Sequence, residues 1–268
     1  YTKEYFFEEY RAQYGRTYLE DFAAIRGYAR SRLDHIAAAG ITGGSILDIG
    51  CAYGPFMAEA AGRGYAPYGI DISADAVDYV EKTLGFPAEA GDFTSMFESG
   101  QQPPFDGRQF DIVTMWYVIE HFEKPDILLD MLGKVLRPGG VFAFSTPTSE
   151  GISGRRNTVR FCLNSPRDHH TIWDRRTAKR VLNGHGFDVL CTASTGHHPE
   201  RFPLVGQACA KSRLAAGIVG VASRVLGLGD TFEVYARFRG SVSVSATRKK
   251  AGLNWAAKRG SSGGETDE

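Results

Sequence analysis

The chain has 268 residues, of which 43% are hydrophobic and 23% are charged, a composition that excludes an intrinsically disordered protein. The formal net charge is zero, but residues 1–150 carry −10 and residues 151–268 carry +10. This asymmetry favours an anionic substrate, a membrane surface or nucleic acid as partner, unless the two halves simply neutralise each other in the fold.

The lengths of the apolar runs and the spacing of the cysteines argue against several further classes of protein. No run of about 18 apolar residues occurs, and the sequence does not begin with a basic and apolar leader, so we predict a cytoplasmic protein. The four cysteines are far apart and form no CxxC pair, which argues against a disulfide scaffold or a zinc site. We therefore expect reduced thiols and no bound metal.

Aromatic side chains dominate the first 22 residues. They recur at spacings of three and four residues, which is the pattern of amphipathic helices laid over another layer. Such a stripe most often means core packing.

Strands alternate with helices from about residue 45 to 195, which indicates a parallel sheet covered by helices on both faces. The predicted strands are residues 45–49, 68–72, 88–91, 110–115, 141–145, 187–192 and 232–238. The clearest predicted helices are residues 74–84, 125–136 and 175–184. Pro138, Gly139 and Gly140 are expected to end the second of these helices. The tail at 241–268 is mostly polar and rich in glycine, so we expect it to be disordered.

The stretch ILDIGCAYGPFM, residues 46–57, runs from a buried strand into a glycine-rich turn and a helix. Ligands of open α/β sheets bind outside the carboxyl ends of the strands. The turn lacks two glycines of the dinucleotide pattern G-x-G-x-x-G, and no Lys-Ser or Lys-Thr follows it as in a P-loop. It therefore predicts a ligand that approaches the backbone closely but carries no diphosphate.

Two later carboxylates suit a nucleoside. Asp71 ends the second strand about twenty residues on, the offset at which an acidic side chain accepts hydrogen bonds from ribose hydroxyls. Asp92 follows the third strand and could bind the exocyclic amine of a purine, with Ile72 and Phe93 on the two faces of the ring. Together these positions predict a nucleoside without phosphates.

Five stretches in this order, ILDIGCAYGPF, YGIDIS, GDF, FDIVTMWYVIEHF and LRPGGVFAFSTP, resemble the successive motifs of class I S-adenosylmethionine-dependent methyltransferases. The resemblance covers about residues 40–195. It implies an α/β, Rossmann-like domain over residues 41–240, with a seven-stranded, mostly parallel sheet, helices on both faces and an antiparallel last strand. It also implies S-adenosylmethionine as the cofactor.

The resemblance also implies roles for the glycine-rich turn. Asp48, Gly50 and Gly54 would line the methionine end of the cofactor, and Asp71 would bind its ribose. Many members of the family have glycine where this chain has Ala52, whose methyl group is tolerable if the loop still approaches the ligand.

Asp92 and Phe93 would contact the adenine. Class I methyltransferases often close the cofactor site with an N-terminal helical lid, which we predict at residues 1–40, with Arg16 pairing with the cofactor carboxylate. The complete set of predicted cofactor-binding residues is Asp48, Gly50, Cys51, Ala52, Tyr53, Gly54, Asp71, Ile72, Asp92, Phe93, Trp116 and Arg16.

Glu120 and His121 follow the fourth strand, at the edge where the methyl group would lie. The segment VIEH resembles ubiquinone-biosynthesis O-methyltransferases, in which a preceding acidic residue helps to bind a divalent metal. Tyr117 holds that position here, which argues against a metal. His121 is either a general base or a histidine that bonds neighbouring backbone, and the sequence leaves both open.

A second group of polar residues follows the fifth strand, at the edge where acceptors bind in such folds. His169 or His170 is a second candidate for acceptor contact or proton removal. The residues predicted to bind an acceptor are Arg155, Arg156, Arg160, Arg167 and Trp173, since arginine binds carboxylates or phosphates and tryptophan offers a flat face. The alternative is a solvated basic loop with one histidine packed beneath it.

A long insertion, about residues 197–229, lies between the last two predicted strands. It mixes Lys211, Arg213 and Arg224 with small and apolar residues. It could be an interfacial helix with weak membrane-surface contact through 204–228, a lid or the contact of a homodimer.

We therefore predict methyl transfer to an oxygen of a small molecule, such as a sugar, a glycan precursor or a phenolic metabolite, with an acceptor that could be anionic. The first alternative is a modifier of RNA or protein, which only the basic second half supports. The chain has no Asn-Pro-Pro-Tyr or Asp-Pro-Pro-Tyr motif and no paired catalytic cysteines, so nucleic acid is the less favoured partner. The second alternative is a cofactor-binding protein without catalysis.

Overall fold

The computed structural model describes residues 5–98 and 103–240. Seven strands form one sheet in the order β3-β2-β1-β4-β5-β7-β6. The strands are β1 (Gly44–Ile49), β2 (Tyr65–Asp71), β3 (Ala88–Ala90), β4 (Phe110–Trp116), β5 (Leu136–Pro147), β6 (Phe187–Thr195) and β7 (Thr231–Phe238). Only β7 runs against its neighbours, β5 and β6, which confirms the predicted fold class. The predicted tail at 241–268 lies outside the described residues.

Helices lie between most of the strands. They are α1 (Tyr10–Tyr14), α2 (Phe22–Ala38), α3 (Pro55–Gly62), α4 (Ala74–Tyr79), α5 (Pro104–Gly107), α6 (Pro125–Val135), α7 (Ile152–Arg156), α8 (Thr158–Leu163), α9 (Arg175–Gly184), α10 (Gly206–Lys211) and α11 (Arg213–Val225). Two π-helical turns occur at Tyr5–Glu9 and, continuing α4, at Val80–Leu84, and 3₁₀ turns occur at Ser95–Phe97, Ile119–His121 and Pro199–Arg201. Within the ranges that the structure describes, no helix has both the length and the apolar character needed to cross a bilayer.

The central strands are apolar on both faces because helices cover both faces. Ile46, Ile112 and Val141 pair across β1, β4 and β5, and they pack on one side in a cluster that includes residues of α2. Their neighbours Leu47 and Val113 belong to the cluster on the other side, with residues of α6. Near-continuous hydrophobic runs are expected of strands that are buried in this way.

The structure differs from the prediction between α6 and β5. The helix ends at Val135, and the Pro-Gly-Gly stretch at 138–140 lies within β5. Leu136 pairs with Phe110, and the next pair is Val141 with Ile112, so residues 137–140 form an irregularity in the ladder. Proline and glycine interrupt helices and mark bulges alike, so the sequence pattern could not distinguish the two.

Candidate active site

The glycine-rich turn after β1 takes conformations that favour glycine. Gly50 has φ +77°, and a Cβ there would lie 2.3 Å from Cγ2 of Val118. Ala52 also lies in the left-handed region, with φ +47°, although it carries a side chain. This strain gives a physical reason for the glycine that many class I methyltransferases have at the position. Gly54, with φ +75°, leads directly into α3.

Asp71, at the end of β2, holds this turn in place. Its Oδ2 accepts a hydrogen bond from the N–H of Ala52 at 2.8 Å, and its Oδ1 accepts one from the N–H of Ser73 at 2.9 Å. The side chain is buried, and burial raises its pKa. Each carboxylate oxygen can accept a second hydrogen bond, so Asp71 retains the capacity to bind two hydroxyl groups.

Asp48 is buried beneath the same turn. The hydroxyl of Thr114 donates a hydrogen bond to its Oδ1 at 2.6 Å. Burial raises the pKa of Asp48 to about 7, although this hydrogen bond and the charge of Arg32 oppose the shift. Arg32 in turn lies 4.1 Å from the ring centroid of Trp116 and forms a 2.9 Å ion pair with Glu233.

We expect Asp48→Asn to stabilise the protein more at pH 8 than at pH 5. The folded pKa lies above the ordinary value of 3.8, so the folded state binds more protons than the unfolded state between about pH 4 and 7. The contribution of Asp48 to stability therefore falls as pH rises through this window. Urea unfolding of wild type and variant should show the difference between them growing by about 1 to 3 kcal/mol from pH 5 to pH 8.

Asp111→Asn is the matched control for that measurement. Burial opposes ionisation there, but hydrogen bonds from Ser45 and Arg137 lower the pKa of Asp111 below 3.8. Both of its pKa values therefore lie below pH 5, so the stability difference that this variant causes should not change between pH 5 and 8. A constant difference for Asp48→Asn as well would show that the buried carboxyl keeps an ordinary pKa.

The residues predicted to contact the adenine differ in how far their side chains are exposed. Oδ1 of Asp92 accepts hydrogen bonds from the hydroxyl of Thr94 and from the N–H of Ser95, at 2.6 and 2.8 Å. Burial opposes ionisation of Asp92, but these hydrogen bonds lower its pKa. Ile72 is half exposed, whereas the side chain of Phe93 is buried in the core against Phe97. Of the predicted sandwich, only Ile72 presents its side chain to solvent.

The N-terminal aromatic residues lie over the glycine-rich turn. The ring of Tyr53, within the turn, contacts Phe6, Phe7 and Tyr18 at centroid distances of 5.1, 6.1 and 6.1 Å. Burial, and then the nearby charges of Asp48, Tyr10 and Asp71, raise the pKa of the Tyr18 phenol. The aromatic spacing predicted the stripe but did not single out Tyr18.

Three other predicted cofactor residues have contacts of their own. Arg16 forms a 3.2 Å ion pair with Asp21 in the N-terminal segment. The Cys51 thiol is buried, which raises its pKa. Trp116 packs against Phe56, and its indole Nε1 is buried with no hydrogen-bond partner among the described residues.

The candidate catalytic side chains meet at the end of β4. Oxygen or nitrogen atoms of Glu120, His121 and His169 all lie within 4.8 Å of one another, and we call these three residues the Glu-His-His cluster. The backbone N–H groups of His170 and Thr171 donate to the carbonyl of Glu120, at 2.8 and 3.2 Å. These bonds fix the later loop against the 3₁₀ turn and bring His169 to His121, with ring centroids 4.8 Å apart.

Burial sets the electrostatics of this cluster. Burial raises the pKa of Glu120 to about 8, and its Oε2 has no hydrogen-bond partner in the part of the chain that the structure describes. Burial and the nearby charge of His121 lower the pKa of His169, which keeps that imidazole neutral at pH 7. Nδ1 of His121 lies 3.2 Å from Oδ2 of Asp168, an arrangement that orients the imidazole. The side chain of His170 is exposed and is not in the cluster.

The same three side chains could also hold a divalent ion, because one carboxylate and two imidazoles are common ligands of such ions. The sequence argument against a metal considered only the cysteine spacing and Tyr117. It missed His169, which is 48 residues from His121 and supplies a third donor through tertiary contact. Tyr117 itself is a half-exposed residue at φ +61°, a strained conformation of the kind that concentrates at functional sites. No sequence signal marks that strain.

The predicted acceptor residues divide into two groups. Four arginines are exposed, and none of them takes part in an ion pair within residues 5–98 and 103–240: Arg155, Arg156, Arg160 and Arg167. Trp173, in contrast, is 2% exposed and packs edge-on against Phe144. Its indole N–H donates to the hydroxyl of Thr171 at 2.9 Å, so the ring offers no open face to a ligand.

Comparisons with known proteins agree with this architecture. A family model described as a methyltransferase domain matches residues 22–192. The ubiquinone biosynthesis O-methyltransferase of Psychrobacter cryohalolentis is 30% identical over 126 residues, which are 45% of this chain and 48% of that protein. The enzyme of the same name from Aromatoleum aromaticum is 34% identical over 127 residues, 43% of this chain and 49% of that protein. The chain thus spans about half the length of the curated relatives it matches.

Solved structures show the same fold at low identity. Magnesium protoporphyrin IX methyltransferase from Synechocystis PCC 6803, with bound SAH, has a TM-score of 0.56 and 15% identity, covering 88% of this chain and 97% of that one. A SAM-dependent methyltransferase from Archaeoglobus fulgidus has a TM-score of 0.56 and 18% identity, covering 79% and 94%. With the family model matching more than half of its length, the chain belongs to the S-adenosylmethionine-dependent methyltransferases.

Proposed function

We propose that this protein transfers a methyl group from S-adenosylmethionine to a hydroxyl oxygen of a small molecule, with a phenolic acceptor as the best candidate. The observation that supports the proposal is the Glu-His-His cluster at the end of β4, in which burial lowers the pKa of the His169 imidazole. A phenol has a pKa of about 10, so its oxygen is a weak nucleophile at neutral pH until a base removes the proton. The partial likeness to ubiquinone biosynthesis O-methyltransferases supports the same acceptor class.

The residues of this chain have distinct tasks in that reaction. When bound, S-adenosylmethionine would supply a sulfonium-activated methyl group to the acceptor oxygen, with S-adenosylhomocysteine as the leaving group. Asp71 would hold the ribose with its remaining acceptor capacity, while the aromatic residues over Tyr53 exclude water from that end of the site. His169 or His121 would accept the hydroxyl proton, and Asp168 would orient the imidazole of His121.

The acceptor class is tested by measuring the release of S-adenosylhomocysteine with a panel of substrates. The panel contains phenols and catechols with and without a carboxylate, simple sugars, bulk transfer RNA and an unfolded protein. We expect turnover with the phenolic compounds and none with the macromolecules. Turnover confined to RNA or protein would overturn the proposal in favour of a macromolecule modifier.

The exposed arginines after β5 support an anionic acceptor. We expect Arg160→Ala to raise the Michaelis constant for a carboxylated acceptor about tenfold and to leave cofactor affinity unchanged, because a charge-assisted contact is lost. Raised salt should shrink the effect, since exposed charges are screened over a Debye length of about 8 Å at physiological ionic strength. Saturation curves at two salt concentrations measure both results.

Arg180→Ala is the matched control, because Arg180 is an exposed arginine of α9, outside the segment 155–167 that carries the predicted acceptor arginines. Its Michaelis constants should equal those of the wild type. If Arg160→Ala lowers the melting temperature but leaves acceptor kinetics unaltered, the arginine has a structural role instead.

A further inference from the structure

The insertion between β6 and β7 exposes an unusual amount of large apolar surface. Of the fifteen large hydrophobic side chains that the described residues expose, seven lie between residues 204 and 226. We call these seven the apolar face: Leu204, Val205, Leu214, Ile218, Val221, Val225 and Leu226. Single exposed apolar residues are common on proteins, but a cluster of this size marks an interaction surface.

Helix α11 is oriented with this face outward. Its buried positions are the small residues Gly220 and Ser223. Leu214, Ile218 and Val225 are 64–80% exposed and recur on one side of the helix at spacings of four and seven residues. An amphipathic helix of a globular protein normally turns its large apolar residues toward the core. The outward face of α11 is therefore available to something outside the fold.

Hydrogen bonds fix the insertion in this orientation. The Asp230 carboxylate, where the insertion enters β7, accepts bonds from the N–H and hydroxyl of Ser153 and from Arg201, at 2.8, 2.6 and 2.8 Å. The hydroxyl of Ser223, on the inner side of α11, lies 2.7 Å from Nδ1 of His197. Ordered connections at both ends thus present the helix as a rigid surface element.

The charge of this surface has one sign. Residues 204–229 contain no Asp or Glu, whereas Lys211, Arg213 and Arg224 are exposed. None of these three takes part in an ion pair with another residue that the structure describes. Residues 151–167 also lack acidic side chains, and they adjoin the insertion through a hydrogen bond from Arg156 to the carbonyl of Arg201. Exposed apolar residues thus lie among unpaired positive charges.

We propose that the apolar face of the insertion docks on the surface of a lipid bilayer that contains anionic lipids. Apolar side chains would enter the boundary between headgroups and acyl chains, while Lys211, Arg213 and Arg224 contact the lipid phosphates. With 13 residues, α11 is shorter than the about 20 that a transmembrane helix needs, so it suits an orientation in the plane of the interface.

Charge distinguishes the bilayer from a second copy of the chain as the occupant. A two-fold dimer places the same patch against itself. Pairing through this face would bring the basic residues of two copies together with no acidic residue in 204–229 to offset them. Anionic headgroups, in contrast, complement the charge. The docking does not depend on the proposed acceptor, so each proposal can fail without the other.

Cosedimentation of the full chain with vesicles tests the docking. We expect binding to vesicles of phosphatidylcholine with phosphatidylglycerol at three to one, and much weaker binding to phosphatidylcholine alone. Combined Leu214→Gln, Ile218→Gln and Val225→Gln should weaken binding about tenfold or more, because apolar burial is lost. Combined Lys211→Gln, Arg213→Gln and Arg224→Gln should do the same, with less remaining sensitivity to salt.

Tyr28→Gln combined with Ile127→Gln is the matched control, because both residues are exposed apolar side chains outside the insertion. This control should bind vesicles like the wild type, and all variants should keep the affinity for S-adenosylmethionine. If the apolar variant fails to fold, the charge variant still decides the question. Absence of binding to the anionic vesicles, or equal binding by the wild type and both insertion variants, would overturn the proposal. A dimer seen by light scattering and dissociated by the apolar variant, without vesicle binding, would assign the face to a second copy.

Discussion

Replacing His169 with glutamine is expected to lower turnover about a hundredfold or more and to leave the affinity for S-adenosylmethionine unchanged. The reason is that His169 is the neutral imidazole of the Glu-His-His cluster, and a positioned base contributes about a hundredfold or more to such a step. His121→Gln should also lower turnover, because His121 adjoins His169 and is paired with Asp168. Initial rates under saturating cofactor, with calorimetry for binding, measure both quantities.

His170→Gln is the matched control, since this neighbouring histidine is exposed and contacts Glu120 only through its backbone N–H. It should keep nearly full activity. The pH dependence gives a second test. Because burial lowers the pKa of His169 below 6.5, the base is already neutral at pH 7, and the acid limb of the rate profile should lie below pH 6.5.

Full activity of both His121→Gln and His169→Gln would show that transfer proceeds by proximity alone. Activity that a chelator abolishes and a divalent ion restores would instead assign the cluster to metal binding. The same cluster would then polarise the acceptor oxygen rather than accept its proton directly.

Asp71→Ala is expected to lower the affinity for S-adenosylmethionine roughly ten- to a hundredfold. The variant loses a charged acceptor for the ribose hydroxyls, which should cost about 1.5 to 3 kcal/mol. It also releases the N–H of Ala52, which anchors the strained turn. Calorimetric titration of the cofactor measures the loss.

Asp75→Ala is the matched control, since Asp75 is an exposed carboxylate four residues away in α4. Its affinity should equal that of the wild type. Asp71→Asn keeps an acceptor for the N–H of Ala52 but lacks the charge, so its affinity for S-adenosylmethionine should lie between those of the wild type and Asp71→Ala. Unchanged affinity in Asp71→Ala would remove this residue from the cofactor site.

The sequence predicted the sheet well because its central strands are buried on both faces. The near-continuous apolar runs at Ile46–Ile49 and Ile112–Met115 favour a covered strand, and the structure has both. The position of Asp71 was also predictable from the sequence. Asp71 ends β2, 19 residues after Ala52, and this offset brings its carboxylate to the glycine-rich turn. These features depend on local pattern and on the parallel order of the strands.

Features that depend on tertiary contact were not foreseeable. Trp173 and Phe93 were expected to face ligands, but packing against Phe144 and Phe97 buries them. A sequence cannot indicate which side of a loop faces the core. For the same reason the approach of His169 to Glu120, through hydrogen bonds to the Glu120 carbonyl, was visible only in the folded chain.

The destination of the methyl group tests the central claim most directly. The full chain is incubated with S-adenosylmethionine carrying a ¹³C-labelled methyl group and with the phenolic acceptor that gives the highest turnover. The product is then examined by NMR. We predict that the labelled carbon is bonded to the acceptor oxygen and that His169→Gln forms the same product at about one hundredth of the rate or less. A label bonded to nitrogen or carbon, or no labelled product from any small molecule, would contradict oxygen methylation by this site.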